Sequence, residues 1–194
     1  MNQPILKLPF EKELLCTQSN LSKGSHNNKN INTKYALDFT LDNKNPFKIL
    51  ASANGIAKIW QCCKHNSGKC KCGLGFGNQI RIYHNNYFTF YAHLSRISVK
   101  EKDKVKQGQI IGIAGKTGLA GDTHLHWTWG KKSKGSKPIK RKFIPFWSIK
   151  ANKIEIQKNN KITIIPSTDF KEGKYYLSTN KSIKSMPAIP PRQQ

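Results

Sequence analysis

The sequence predicts an all-β protein, mostly antiparallel, with a short β extension at its C-terminal end. Three observations carry that expectation. Hydrophobic residues recur with period two in short segments, Gly, Asn and Pro punctuate those segments, and no convincing amphipathic helix interrupts them. The connections are too Gly-rich for the crossover helices of a doubly wound α/β sheet.

The elements follow in order. Tyr35-Ala36-Leu37-Asp38-Phe39-Thr40-Leu41 alternates, so Tyr35, Leu37, Phe39 and Leu41 share one face of a strand. Asp38 stands on the other face beside Ala36 and Thr40. Ile49 to Ile59 reads as one or two strands broken at the turn dipeptide Asn54-Gly55. Gln79 to His84 and Tyr87 to Leu94 read as a hairpin around Asn85-Asn86, and Val105 to Gly112 as a turn followed by a strand. His124 to Trp129 alternates once more. Beyond Phe146-Trp147 the character changes. Lys153 to Gln157 and Lys161 to Ile165 flank Lys158-Asn159-Asn160, which predicts an extra hairpin. From Ser178 the chain turns Lys/Ser/Pro-rich, the composition of a mobile tail. The expected division is a main domain over 1–150, a β-hairpin extension over 151–177 and a tail over 178–194.

A chain of 194 residues can bury a core without staples. No run approaches the ~20 apolar residues of a membrane span. The opening Met1 to Cys16 has no basic stretch followed by an apolar one, so no secretory signal is read there and the route of export stays open. Lys and Arg number 34 against 10 Asp and Glu, a formal charge of +24. Such a field attracts polyanions: nucleic acid, an anionic membrane face or an anionic cell wall. The lysines are spread along the chain rather than interleaved with stacking aromatics, which speaks against a nucleic-acid interface.

The residues with metal and acid–base chemistry are few. Of six histidines, His124 and His126 stand at i and i+2 on one strand and project from one face, about 7 Å apart. At the ~2.0–2.1 Å of a Zn–N bond they do not easily share one ion, so one ligand beside one free imidazole is the natural use. Asp38 puts a carboxylate on a strand whose other face is apolar, a place that calls for a cation. His26 precedes that strand in a polar loop, and His93 ends another.

The wording around these residues resembles the lysostaphin/LytM-type zinc endopeptidases, block by block and in the same order. Ser25-His26 with Tyr35 to Phe39, Ile49 to Ala51 with Gly55, Gly77 to His84, Tyr91-Ala92-His93-Leu94-Ser95, Gly108 to Gly112, Gly115 to Gly118 and His124-Leu125-His126 all match, over roughly Leu8 to Trp129. The resemblance implies a β-sheet sandwich of the LytM (duplicated hybrid motif) type. It implies one catalytic Zn²⁺ held by His26, Asp38 and His126, with a position left for water. His93 and His124 become a non-ligating pair, one helping to deprotonate the water and the other stabilising the oxyanion. Asn78 is carried over as a substrate contact through its side-chain amide, beside the alternative of a turn-side residue that satisfies backbone groups. Two departures stand out: the loop from Asn27 to Lys34 lengthens the spacing from His26 to Asp38, and Thr123 stands where the family often has Pro.

The implied activity is hydrolysis of peptide bonds in the stem or cross-bridge peptides of peptidoglycan, with anionic wall polymers as a further partner and a periplasmic, cell-wall or secreted location. Two rivals of other classes are a non-catalytic LytM-type activator of cell-wall amidases and a basic nucleic-acid-binding protein. An insertion at about 61–74 interrupts the family pattern and carries Cys62, Cys63, Cys70 and Cys72 beside His65. Two readings of it stand side by side: two cross-strand disulfides, or a second, structural zinc ion. Cys16 is left over.

Overall fold

The computed structural model describes residues 4–27, 33–131 and 147–183. In chain order its strands are β1 (Leu6–Lys7), β2 (Glu13–Gln18), β3 (Leu37–Thr40), β4 (Lys48–Leu50) and β5 (Gly55–Trp60). Then come β6 (Gln79–His84), β7 (Tyr87–Ala92), β8 (Leu94–Ile97), β9 (Lys104–Val105) and β10 (Ile110–Ala114). The last are β11 (Leu125–Lys131), β12 (Trp147–Ser148), β13 (Ile154–Lys158), β14 (Lys161–Ile165) and β15 (Lys174–Ser178).

The large sheet runs β1-β13-β15-β2-β3-β11-β7-β6-β5-β9, with β12 added to β11 and β14 to β13, and β4-β10-β8 form a second, small sheet. Every strand pairing but the parallel β1–β13 is antiparallel. Among the described residues no helix is long and apolar enough to cross a membrane.

Alternation along the central strands decides what each face does. Leu37, Phe39, Ile80, Ile82, Tyr91, Leu125, Trp127 and Trp129 enter the main core, where Ile49, Leu94 and Ile111 of the small sheet meet them. Each large side chain removed from water there contributes about 1.5–3 kcal/mol. Phe88, Phe90 and Ala92 alternate with that set, and with Phe76 they make a second, small apolar cluster on the opposite face. The period-two pattern thus yields a packed face and a face free for chemistry.

Several expectations acquire sharper form. The Tyr87 to Leu94 run is two strands, because the chain leaves β7 for β8 in the other sheet at His93, whose φ is 61°. The Lys158–Lys161 hairpin turns through Asn159 and Asn160, both at positive φ, as a tight hairpin requires and Asn tolerates. The C-terminal strands continue the large sheet: β15 lies between β13 and β2. Ser178, expected to open a mobile tail, is instead buried and donates its hydroxyl to the Leu8 carbonyl. Asn180 donates its amide to the Leu8 and Ala51 carbonyls, and the Ile183 amide donates to Gly108. Burial of these polar groups is made tolerable by those bonds, so the chain is tied down through Ile183. Residues 184–194 lie outside the described residues.

Candidate metal centre

Strand register builds the site. His126 on β11 is the cross-strand partner of Asp38 on β3 and of Ala92 on β7. One residue beyond β7, His93 takes up its left-handed conformation at the crossing between sheets, a sparsely populated region for a side-chain-bearing residue. His124 lies just before β11, bridged to Gly115, and the short 3-10 turn Ser25–Asn27 carries His26 over the same face. The long loop between His26 and Asp38 does not separate them: His26 Nε2 is 3.2 Å from Asp38 Oδ1. His126 Nδ1 reaches the same oxygen at 2.9 Å. On the other carboxylate oxygen, His124 Nε2 is 3.8 Å from Oδ2. The His93 and His124 rings are 4.6 Å apart between centroids. Phe76 and Phe90 floor the site, their rings 5.1 and 6.1 Å from that of His126.

Backbone carbonyls fix the tautomers. His26 Nδ1 donates to Ser19 at 2.9 Å, His93 Nδ1 to Thr117 at 2.8 Å and His124 Nδ1 to Asp122 at 2.9 Å. A neutral imidazole that donates from Nδ1 keeps its lone pair on Nε2. With Nδ1 so occupied, three Nε2 atoms are turned into the site. At His26 the Nε2 faces a carboxylate oxygen at hydrogen-bond distance, a contact that either a proton or a metal cation between them satisfies. His126 Nε2 is buried without a hydrogen-bond partner among the described residues, so its ring owes its placement to Nδ1.

These groups are poised electrostatically. Burial pushes the His93 imidazole down to about 3, with His124 and His126 adding to the effect. His126 is lowered chiefly by burial, against the pull of Asp38. Burial alone raises a carboxyl, but His126 and His26 together hold Asp38 well below its usual range. His26 is likewise opposed by burial, and the hydrogen bond and charge of Asp38 outweigh it, so it is raised.

The donor set matches a zinc ion. His26 Nε2, Asp38 Oδ1 and His126 Nδ1 fall in one group of potential ligand atoms, all within 4.8 Å of one another. Tetrahedral zinc with bonds of ~2.0–2.1 Å keeps its donors about 3.3 Å apart. The 2.9 and 3.2 Å contacts lie close to that.

Of the two readings of Asn78, its bonds fit the one in which it satisfies backbone groups. Its Oδ1 accepts from the Cys62 and Cys63 amides, both at 2.9 Å, and its Nδ2 donates to the Cys63 carbonyl. Buried and spent on the backbone, it braces the cysteine-bearing insertion and does not line the groove. Of the two readings of that insertion, two disulfides or a structural zinc, the structure holds one disulfide, Cys62–Cys72, with Cys63 and Cys70 free. Cys16 is free and buried in the core.

The groove over the site encloses about 330 Å³ and adds residues that the sequence did not single out: Gln18, Leu74 and Leu119 at the rim and Phe76 beneath. Leu74 and Leu119 are both more than half exposed. Their one sequence signal is an apolar side chain next to glycine in a loop, which is a weak one. A larger hollow of about 720 Å³ lies at the Asn85-Asn86 hairpin end. Its histidine, His84, has both ring nitrogens bonded, to Asn54 and Thr89, and so offers no free lone pair.

Comparison with known proteins gives this arrangement a context. Lysostaphin from Staphylococcus simulans is 35% identical over 95 residues, which is 48% of this chain and 17% of lysostaphin. Peptidoglycan DD-endopeptidase ShyA from Vibrio cholerae is 50% identical over 52 residues, 26% of this chain and 12% of ShyA. The murein hydrolase activator NlpD from Salmonella typhimurium is 40% identical over 67 residues, 34% of this chain and 18% of NlpD. The chain spans less than a fifth of the length of each of these three. In fold it is similar to the catalytic domain of the prophage-encoded M23 protein EnpA from Enterococcus faecalis, with a TM-score of 0.50 at 21% identity over 67% of this chain and 91% of that one. The family model of peptidase family M23 matches residues 32–138, more than half of the sequence. With its all-β architecture and its His/Asp/His group, the chain belongs to peptidase family M23, the family of the lysostaphin/LytM type.

Proposed function

We propose that the chain is a zinc-dependent endopeptidase that hydrolyses peptide bonds in the stem or cross-bridge peptides of peptidoglycan. The observation that carries this is a complete donor set, His26, Asp38 and His126, with two further imidazoles turned into the same groove. Zn²⁺, when bound by those three, supplies the electrophile that acidifies water to near neutral pH.

The chain's own residues do the rest. His93, held neutral by burial, presents Nε2 as a proton acceptor for the attacking water. His124, beside Asp38 Oδ2 with its ring on the groove, stands where it can stabilise the oxygen on which charge develops. The His124 ring, 4.6 Å away between centroids, adds to the burial that keeps His93 neutral. The half-exposed Leu74 and Leu119 offer apolar edges to the peptide on either side of the scissile bond. Such a substrate lies outside the cytoplasmic membrane, which places the protein in the periplasm, the wall or the medium. The charge of +24 suits residence on anionic wall polymers.

The similarity to NlpD raises a second reading, a non-catalytic activator of cell-wall amidases. Such an activator needs no metal and no tautomer-locked histidines, and the intact set favours the enzyme. The deciding experiment incubates the protein with purified peptidoglycans of different cross-bridge chemistry and identifies the released termini by mass spectrometry, with and without chelator. New amino termini that vanish on chelation and return with Zn²⁺ are expected. Undiminished release after verified metal loss defeats the metallopeptidase, and no release from any peptidoglycan favours the activator.

A further inference from the structure

The four cysteines of the insertion take no part in the centre described above, yet the fold gathers three of their sulfurs. Cys62 and Cys72 are joined as a disulfide with Cα atoms 6.1 Å apart. Cys63 Sγ lies 3.3 Å from Cys72 Sγ, and the sulfurs of Cys62, Cys63 and Cys72 are all within 4.8 Å of one another. Cys70, half-buried, lies outside that convergent group but interacts with Cys63. Tetrahedral zinc with Zn–S bonds of ~2.3 Å keeps its sulfurs about 3.8 Å apart, within the range these atoms occupy.

The surroundings are built for sulfur that carries charge. Trp60 Nε1 donates to Cys62 Sγ at 3.1 Å and the Cys72 amide donates to Cys70 Sγ at 3.4 Å. Donors aimed at sulfur stabilise a thiolate and orient a metal-bound one, whereas a closed disulfide has little use for them. His65 stays outside the convergent group, so the donor set is thiolate alone, which selects zinc over magnesium or calcium.

We propose that, once the Cys62–Cys72 bond is reduced, Cys62, Cys63, Cys70 and Cys72 hold one structural Zn²⁺ as a tetrathiolate site. A dithiol supplies two electrons and two protons to the Cys62–Cys72 bond and leaves as a cyclic disulfide. Zn²⁺ then replaces the four thiol protons, which pass to water. Cys62 and Cys72 part, and Cys70 turns inward about χ1. The ion clamps the wall of the groove: the Cys62 and Cys63 amides are held by Asn78, and the Cys70 amide donates to Gly118, next to the Thr117 carbonyl that orients His93. This inference is independent of the peptidase reading.

The test uses the full chain with the His126→Ala substitution, which disables the other centre, reduced by a dithiol that is then removed without oxygen. Expected are one equivalent of zinc by elemental analysis and, with Co²⁺ in its place, the near-ultraviolet sulfur-to-cobalt charge-transfer band of thiolate ligation. Cys63→Ser and Cys70→Ser should each abolish most of that band. The unsubstituted reduced chain provides the same readout should the variant fold poorly: two equivalents, one of them carrying the band. A reduced chain with its thiols counted free that shows no charge-transfer band overturns the proposal. One equivalent that carries the band overturns the peptidase centre instead, so the two failures are distinguishable.

Discussion

Replacing His126 and His124 separately by alanine tests the division of labour between two side chains that share a strand face. Both measurements are made in non-reducing buffer, where the Cys62–Cys72 disulfide keeps the cysteine cluster out of the count. His126 is 3% exposed, packs on Phe76 and Phe90, and contacts Asp38 at 2.9 Å. Its loss leaves a cavity worth about 2–5 kcal/mol and leaves only His26 and Asp38 as protein ligands. Zinc at a hundred times its dissociation constant stabilises the folded state by about 2.7 kcal/mol. For a chain of 194 residues, at roughly 2–4 °C per kcal/mol, that is a rise in Tm of about 5–11 °C. His126→Ala should lower Tm and show no zinc-dependent rise. His124→Ala should keep the rise and near-stoichiometric zinc while kcat/KM falls ~10²–10⁴-fold, the share of a positioned acid–base group. The assay is differential scanning calorimetry with elemental analysis, beside turnover on a soluble cross-linked peptide. Loss of the zinc-dependent rise in His124→Ala with its retention in His126→Ala reverses the roles. Full activity in both refutes the site.

Three other outcomes are expected. The metal-free protein should lose stability as pH falls below ~6.5, because His84 and His93 are lowered by burial and the unfolded chain takes up protons first, while Asp38, also lowered, adds its loss further into the acid. His26, raised, contributes with the opposite sign, fully below ~6.5 and lost as pH rises through its folded pKa, so a urea midpoint that climbs steadily from pH 7 to pH 4 refutes the balance. Asn180→Ala should destabilise by about 1–3 kcal/mol, since it strips a donor from the buried Leu8 and Ala51 carbonyls; an unchanged denaturation midpoint contradicts that docking. Retention on isolated sacculi should weaken between 0.05 and about 0.5 M salt as the Debye length shrinks; retention indifferent to salt makes the +24 a compositional bias only.

What could be seen in the sequence was what local pattern decides. Asp38 declared itself as a charge inside an apolar alternation, and His124 and His126 as a same-face pair, because the strand period alone fixes those relations. His26 rested on the resemblance, since a loop residue's destination is set by contacts such as Ser19 and Thr33 that no spacing encodes. Asn78 stayed open for a related reason: an amide can serve ligand or backbone equally, and its bonds go to the Cys62–Cys63 amides of an insertion foreign to the family pattern. The break at His93 was hidden because period two continues across it while the chain changes sheets. Ser178 and Asn180 read as tail because composition reports solvation tendency, not the carbonyls waiting on another strand.

The order of strands in the large sheet also sets a schedule for synthesis. β2 leans on β3, which carries Asp38, and its other edge is closed by β15. A ribosome working at about 5–20 residues per second needs roughly 7–27 seconds to go from Thr40 to Lys174. Through that interval β2 offers a bare row of amides and carbonyls, the kind of edge that invites pairing with a foreign chain. The half-site bearing His26 and Asp38 is sealed only by a strand translated well after His126. A nascent chain therefore holds every candidate ligand before it holds the sheet that keeps them in register, so maturation of the centre waits on the closing of an edge and not on the arrival of its last histidine.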